Sequence, residues 1–227
     1  MGVMRVSIGV DIGQKVDPTA IAVVEAKHRD GEWVFLTRHL ERLELGTPFR
    51  DVASRTSEVV AGVEEISSTN GVYRGRLERG GITLYVDATG VGAPIVEMLK
   101  ERIDRKSCAI RAVYFTHGDK LTRREDGLSL GKAYLVSRMQ ALIQSGRIEL
   151  PRTREAEELA EELLDYEIRV DEDGNDRYGA FKVGTHDDLV TALGLAVLKD
   201  PREPRQVRAY SAQAPPSVPR DLFGASR

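Results

Sequence analysis

Four aspartates stand where strands end or a helix begins, and their placement suits them to chemistry. Asp11 closes the run MRVSIGVDI, Asp87 closes ITLYVDATG, and Asp187 and Asp188 open HDDLVTALGLAVL. In an open α/β sheet, sites form outside the carboxyl ends of the strands. If the strands bearing Asp11 and Asp87 are parallel neighbours, both carboxylates emerge at one edge. A helix packed on that edge then adds its first-turn acids. Without a counter-ion these groups repel one another and raise each other's pKa. A hard divalent cation removes that cost. Mg²⁺ or Mn²⁺ prefers carboxylate and water oxygens, and two such ions can clamp the attacking and leaving oxygens of a phosphodiester displacement. The expected metal ligands and catalytic carboxylates are therefore Asp11, Asp87, Asp187 and Asp188.

Other readings of each residue stay open. Asp11 before Ile12-Gly13 and Asp87 in VDATG each also fit a turn cap. His186-Asp187-Asp188 also fits a helix N-terminus with favourable dipole placement. Coincidence favours the joint site, because three acidic positions share one structural context. Within the pair, Asp188 lies in line with Ala192 and Ala196, four and eight residues on. Small residues on that line let the helix sit close to the sheet, so Asp188 is the inner ligand. Asp187 lies nearer the line of Thr191, Gly194 and Leu198. It is expected to cap the helix or to serve a second metal.

The elements that must position these acids follow from periodicity. Residues 4–12 form a strand, TAIAVVEAK a second and residues 33–39 a third, with HRDGE as the turn between the last two. These give three antiparallel neighbours. Val52, Val59, Val60, Val63 and Ile66 recur at helical spacing, predicting an amphipathic helix that ends at Asn70-Gly71. The polar stretch RGRLERGG leads into the short apolar run of a buried parallel strand ending at Asp87. APIVEMLKERI is the next helix and CAIRAVYFT the next strand. THGDKLTRREDG lacks an apolar period and is expected to be a loop. A helix through Ile143 and a short strand come next. REAEELAEELLDYEIRV then runs from helix into strand, RYGAFKV answers as a hairpin partner, and HDDLVTALGLAVLKD is the last helix. The expected fold class is α/β, a mixed sheet with helices on both faces. Residues 1–200 make one domain, and the Pro/Ser-rich segment 201–227 is expected to be a flexible tail.

Composition narrows the function. The 227 residues are 41% hydrophobic and 30% charged, an ordinary globular balance. A net charge of −3 does not advertise a nucleic-acid partner, so any DNA-binding face must gather its cations locally. One cysteine, Cys108, excludes a disulfide framework, and its strand context suits a small buried hydrophobe. The histidines His28, His39, His117 and His186 are scattered and offer no competing ligand set. No leader pattern and no membrane-length apolar run appear, so the expectation is a soluble cytoplasmic protein without a membrane partner.

In order, IGVDIGQKVDPTAIAVVE, LYVDATGVGAPIVEML, LGKAYLVSRMQALIQSGRIELP and THDDLVTALGLAVL resemble the nuclease domain of tailed-phage terminase large subunits. That family belongs to the RNase H-like (RuvC/integrase) superfamily. The resemblance spans residues 5–199, with a poor stretch around 42–80. It implies an RNase H-like fold and two-metal cleavage of double-stranded DNA in genome packaging, in the host cytoplasm if the chain is phage-encoded. It places the ligands on the same four aspartates. RuvC-type resolvases carry an acid three residues after the inner one; here Thr191 stands there, which favours the terminase side. No GxxxxGK[ST] loop occurs, so the chain is expected to be an excised domain or a separately encoded nuclease subunit. Its expected partners are double-stranded DNA, an ATPase motor and the portal or procapsid.

Lys120, Arg123 and Arg124 in the expected loop, Lys132 at the next helix start, Lys182 in the hairpin and His186 are candidate phosphate contacts. Asp119, Glu125 and Asp126 dilute the loop's charge, leaving a solvated surface role equally open. Three alternatives remain for the chain. One is a Holliday-junction resolvase-like nuclease. Another is an actin-like phosphotransferase fragment, whose first phosphate loop DIGQKVDPTAIAVV resembles. The third is a non-catalytic packaging subunit.

Overall fold

A computed structural model of the chain describes residues 4–13, 17–69, 77–165, 167–170, 176–179 and 186–198. Strands β1 (Met4–Asp11), β2 (Ala20–Arg29) and β3 (Glu32–Arg42) form the antiparallel trio expected from their alternation. Helix α1 (Phe49–Thr69) leads to β4 (Leu77–Asp87), and α2 (Gly92–Arg102) leads to β5 (Cys108–Thr116). Next come β6 (Leu121–Arg123), β7 (Leu128–Gly131), α3 (Lys132–Gln144) and β8 (Ile148–Glu149). Helix α4 (Arg154–Asp165), β9 (Glu167–Val170), β10 (Asp176–Gly179) and α5 (Asp188–Ala196) complete the order.

Eight strands form one mixed sheet in the order β6-β7-β5-β4-β1-β2-β3-β8, and β9 and β10 form a separate two-stranded antiparallel sheet. The pairing that decides the site is β1 with β4. They run parallel, with Val10 opposite Val86, so Asp11 and Asp87 leave adjacent strands at the same edge. Neighbouring strands lie about 4.8 Å apart.

Alternation then sorts side chains to two faces. Ile8, Val10, Ile21, Val23, Ile82, Leu84 and Val86 pack against α1 and α2. Ala20, Ala22, Val24 and Tyr85 pack against α3, α4 and α5. Asp87 is two residues beyond Tyr85, on the α5 side. The α5 face of the two central strands is lined by small residues, which brings this helix close. At Gly9 a Cβ would lie 2.0 Å from the Ala192 carbonyl oxygen and 2.7 Å from the Ala196 nitrogen. The helix is buried on every side, in keeping with a sequence that is apolar apart from Asp188 and Thr191.

Two expectations are corrected. THGDKLTRREDG is not an open loop. Its centre pairs as β6 against β7, extending the sheet by two strands. The expectation failed because a three-residue edge strand needs no apolar period when only one of its sides pairs. The polar lead-in also does not precede the fourth strand entirely, since β4 begins at Leu77. The end of α1 at Asn70-Gly71, residues 171–175 of the DEDGND turn and the segment 201–227 lie outside the described residues.

Candidate functional site

Asp11 and Asp87 end parallel neighbours on the face covered by α5, and Asp188 begins that helix. The close approach at Gly9 sets the helix against β1, so the acids of its first turn meet the two strand-end carboxylates. Their mutual influence shows in their protonation. Loss of water raises the Asp11 pKa well above the usual carboxylate value, and repulsion from Asp87, Asp187 and Asp188 raises it further. Burial also raises Asp87, against the hydrogen bonds it accepts from Thr89. Burial raises Asp188, against the lowering effect of Arg42. Lys132 opposes the shifts of both Asp11 and Asp87. It lies at the head of α3, with its ammonium 5.6 Å from the Phe115 ring centre.

The turn after β4 is tied down. Asp87 Oδ1 accepts the Thr89 amide at 2.8 Å, while Thr89 Oγ1 accepts the Phe115 amide at 2.9 Å. Gly92 has no room for a side chain, since a Cβ there would meet the Asp87 carbonyl oxygen at 1.9 Å. The turn after β1 is closed by Thr19, whose hydroxyl bridges the amide and carbonyl of Gly13 at 3.2 Å each.

The third acid is held differently. Asp188 is completely buried. Its Oδ2 accepts Arg42 Nε at 2.7 Å, whereas Oδ1 is buried and finds no hydrogen-bond partner among the described residues. His186 Nδ1 stands 3.9 Å from that oxygen and 3.8 Å from Asp17. An orphaned buried carboxylate oxygen beside further acids costs free energy unless something cationic meets it. Hard oxygen donors of this kind fit a divalent cation. Among the described residues, no three Asp, Glu, His or Cys side chains are already drawn together into a ligand cluster. Asp87 is anchored by the Thr89 amide and Asp188 by Arg42.

Asp187 occupies the cap position of α5, yet its side chain makes no capping hydrogen bond. Its carbonyl accepts the Thr191 amide at 2.9 Å. Lys120 is exposed beyond the carboxyl edge, where its carbonyl accepts the Gly131 amide at 2.8 Å. Arg123 pairs at the level of Asp87 but three strands away, roughly 14 Å across the sheet. Arg124 turns to the opposite face, 4.5 Å over the Tyr114 ring and 3.0 Å from Asp126, away from the aspartates. Lys182 lies outside the described residues. Cys108 is buried with its thiol pushed up to about 12, as an inert core residue.

Sequence reasoning missed Arg42, Glu158 and Glu162. Arg42 at the end of β3 meets Asp188 and both glutamates of α4. Burial, then repulsion from Asp188, raises the Glu162 carboxyl to about 8. The available signal was Glu162 itself, a charged residue flanking the buried stripe of Ala156 and Leu159.

Residues 72–200 match the family model described as the terminase RNaseH-like domain. The chain belongs to the terminase RNaseH-like domain family. No curated protein matches it. The fold is shared with the large terminase nuclease of thermophilic phage G20c, at 20% identity and a TM-score of 0.53, over 86% of this chain and 82% of that one. The magnesium-bound structure of the same phage protein matches at 20% identity and 0.54, over 85% and 80%. The human cytomegalovirus terminase nuclease domain matches at 16% identity and 0.54, over 86% and 82%. The RNase H-like mixed sheet with helices on both faces is thus the family fold. No helix among the described residues is long and apolar enough to cross a membrane.

Proposed function

We propose that this terminase-family domain is a divalent-metal-dependent endonuclease that cuts double-stranded DNA during genome packaging. The observation that carries the reading is the buried Asp188 Oδ1, without a hydrogen bond among the described residues, on a helix whose first-turn acids, with Asp87, raise the pKa of Asp11 by repulsion. Asp11, Asp87 and Asp188 would hold the metal, with Asp187 supplying further oxygens for a second ion. Mg²⁺ or Mn²⁺ bound there would supply positive charge to the scissile phosphate and favour deprotonation of the attacking water.

The chain's own residues do the rest. The β1–β4 pairing sets the two strand-end carboxylates side by side, and Thr89 holds Asp87 through its amide. Lys132 offsets part of the acidic charge, which otherwise opposes the approach of a phosphodiester. Lys120 and Lys132 at the carboxyl edge are placed to receive DNA phosphates, and His186 faces Asp188 from the rim. An ATPase motor and the portal or procapsid are the partners this role requires, in the cytoplasm of an infected host.

The test is cleavage of linear duplex and of four-way junctions, each with Mn²⁺ and with EDTA. The expected result is metal-dependent cutting of plain duplex at least as fast as junctions. Cutting confined to junctions would move the assignment to a resolvase.

A further inference from the structure

One guanidinium at the end of β3 joins three carboxylates carried by two helices. Arg42 Nε donates to Asp188 Oδ2 at 2.7 Å, Nη1 to Glu158 Oε2 at 2.8 Å, and Nη2 to Glu162 Oε1. Glu162 has a second task. Its Oε2 accepts the Val190 amide at 3.0 Å. Val190 is in the first turn of α5, where amides lack partners within the helix. A carboxylate from α4 therefore does for α5 what the Asp187 side chain does not. The same glutamate fixes the helix start and the arginine that grips the acid at that start.

The consequence falls on Asp188. A carboxylate at a helix head can rotate and present either oxygen or both. Here the planar fork of Arg42 holds Oδ2, and a guanidinium fixes orientation as a compact ammonium cannot. The other oxygen is buried and accepts no hydrogen bond among the described residues. We propose that Arg42 is a positioning residue that locks the Asp188 carboxylate so that it offers a divalent cation one oxygen, Oδ1, and not both. The inference rests on the metal-site reading above and adds a residue from outside the four aspartates.

A purely structural ion cluster would use the same contacts, since breaking a buried pair destabilises a fold. The two roles separate in metal affinity. Wild type and Arg42→Lys are titrated with Mn²⁺ by calorimetry, and the melting temperature of each is recorded. The lysine keeps a cation among the three carboxylates but cannot hold them in a planar fork. The expected result is Mn²⁺ Kd weakened about tenfold in Arg42→Lys, with a melting temperature close to wild type. If Arg42→Lys does not fold, Glu162→Gln takes its place, because it loosens Arg42 while keeping an oxygen for Val190. A several-fold weaker Kd is then expected.

A Kd within twofold of wild type in the folded variant, whatever its melting temperature, would overturn the positioning role and leave the metal site standing. Wild-type protein that takes up no Mn²⁺ would overturn the metal reading and this inference together.

Discussion

Replacing Gly9 by alanine tests whether the site depends on how closely α5 sits on β1. In an unobstructed strand, Gly→Ala is expected to stabilise by about 0.5–1 kcal/mol, because glycine loses more freedom on folding. At Gly9 the added methyl would lie 2.0 Å from the Ala192 carbonyl oxygen, 2.7 Å from the Ala196 nitrogen and 2.9 Å from the Leu195 Cβ. Two of these are helix backbone, which cannot swing aside as a side chain does. A carbon–oxygen contact relaxes at about 3.3 Å, so α5 or β1 must yield by roughly 1.3 Å. Overpacking of this kind costs about 1–3 kcal/mol, reversing the sign expected for an open position. The same displacement moves Asp188 relative to Asp11, and misplacement by about 1 Å can lower a rate on the order of 100-fold. Thermal melting and Mn²⁺-dependent plasmid cleavage measure the two effects on one sample. A Gly9→Ala protein that melts at or above the wild-type temperature and cleaves at the wild-type rate would refute the close-packing argument.

Other outcomes follow from the charges of these acids. Asp11→Asn removes a carboxylate repelled by three others, so the metal-free protein should melt at a higher temperature, while cleavage is lost. An unchanged or lower melting temperature would count against the crowding. Asp11, Asp87, Asp188 and Glu162 all have folded-state pKa values raised above their ordinary ones. Their contribution is fully present below the ordinary carboxylate range and is lost as pH rises through the raised values, which for Glu162 reaches about 8. Melting in EDTA should therefore fall between pH 5.5 and 8.5, and Mg²⁺ should restore most at the alkaline end; a rise with pH in EDTA would contradict this. Lys132→Met withdraws the cation that opposes the shifts of Asp11 and Asp87, so the melting temperature in EDTA at pH 8 and the DNA affinity should both fall. Fluorescence anisotropy with duplex DNA and a thermal scan check both effects.

The meeting of Asp11 and Asp87 at one sheet edge was legible in the sequence. Asp11 and Asp87 end apolar strands, and that pattern alone places them at one edge once the strands are parallel neighbours. The alanine line from Asp188 through Ala192 and Ala196 matches the helix face that meets Gly9. The β6–β7 hairpin was not legible, because a short polar edge strand leaves no periodic trace. Arg124 shows the same limit in another form. Its neighbours in sequence place it near the site, but the turn between β6 and β7 sends its guanidinium to Tyr114 and Asp126 on the other face. Arg42 was beyond reach for a different reason. It meets Asp188 across 146 positions of chain and Glu162 across 120, and pairings set by folding at such range leave no local spacing to read.

The proposed function requires that these aspartates hold a divalent metal on which cutting of duplex DNA depends. Cleavage of supercoiled plasmid by wild type and by Asp87→Asn, each with Mn²⁺ and with EDTA, tests it most directly. The account predicts nicking and linearisation by wild type only with Mn²⁺, and loss of roughly 100-fold or more in Asp87→Asn protein that remains folded. Cleavage that persists in EDTA, or an Asp87→Asn protein as active as wild type, would contradict it.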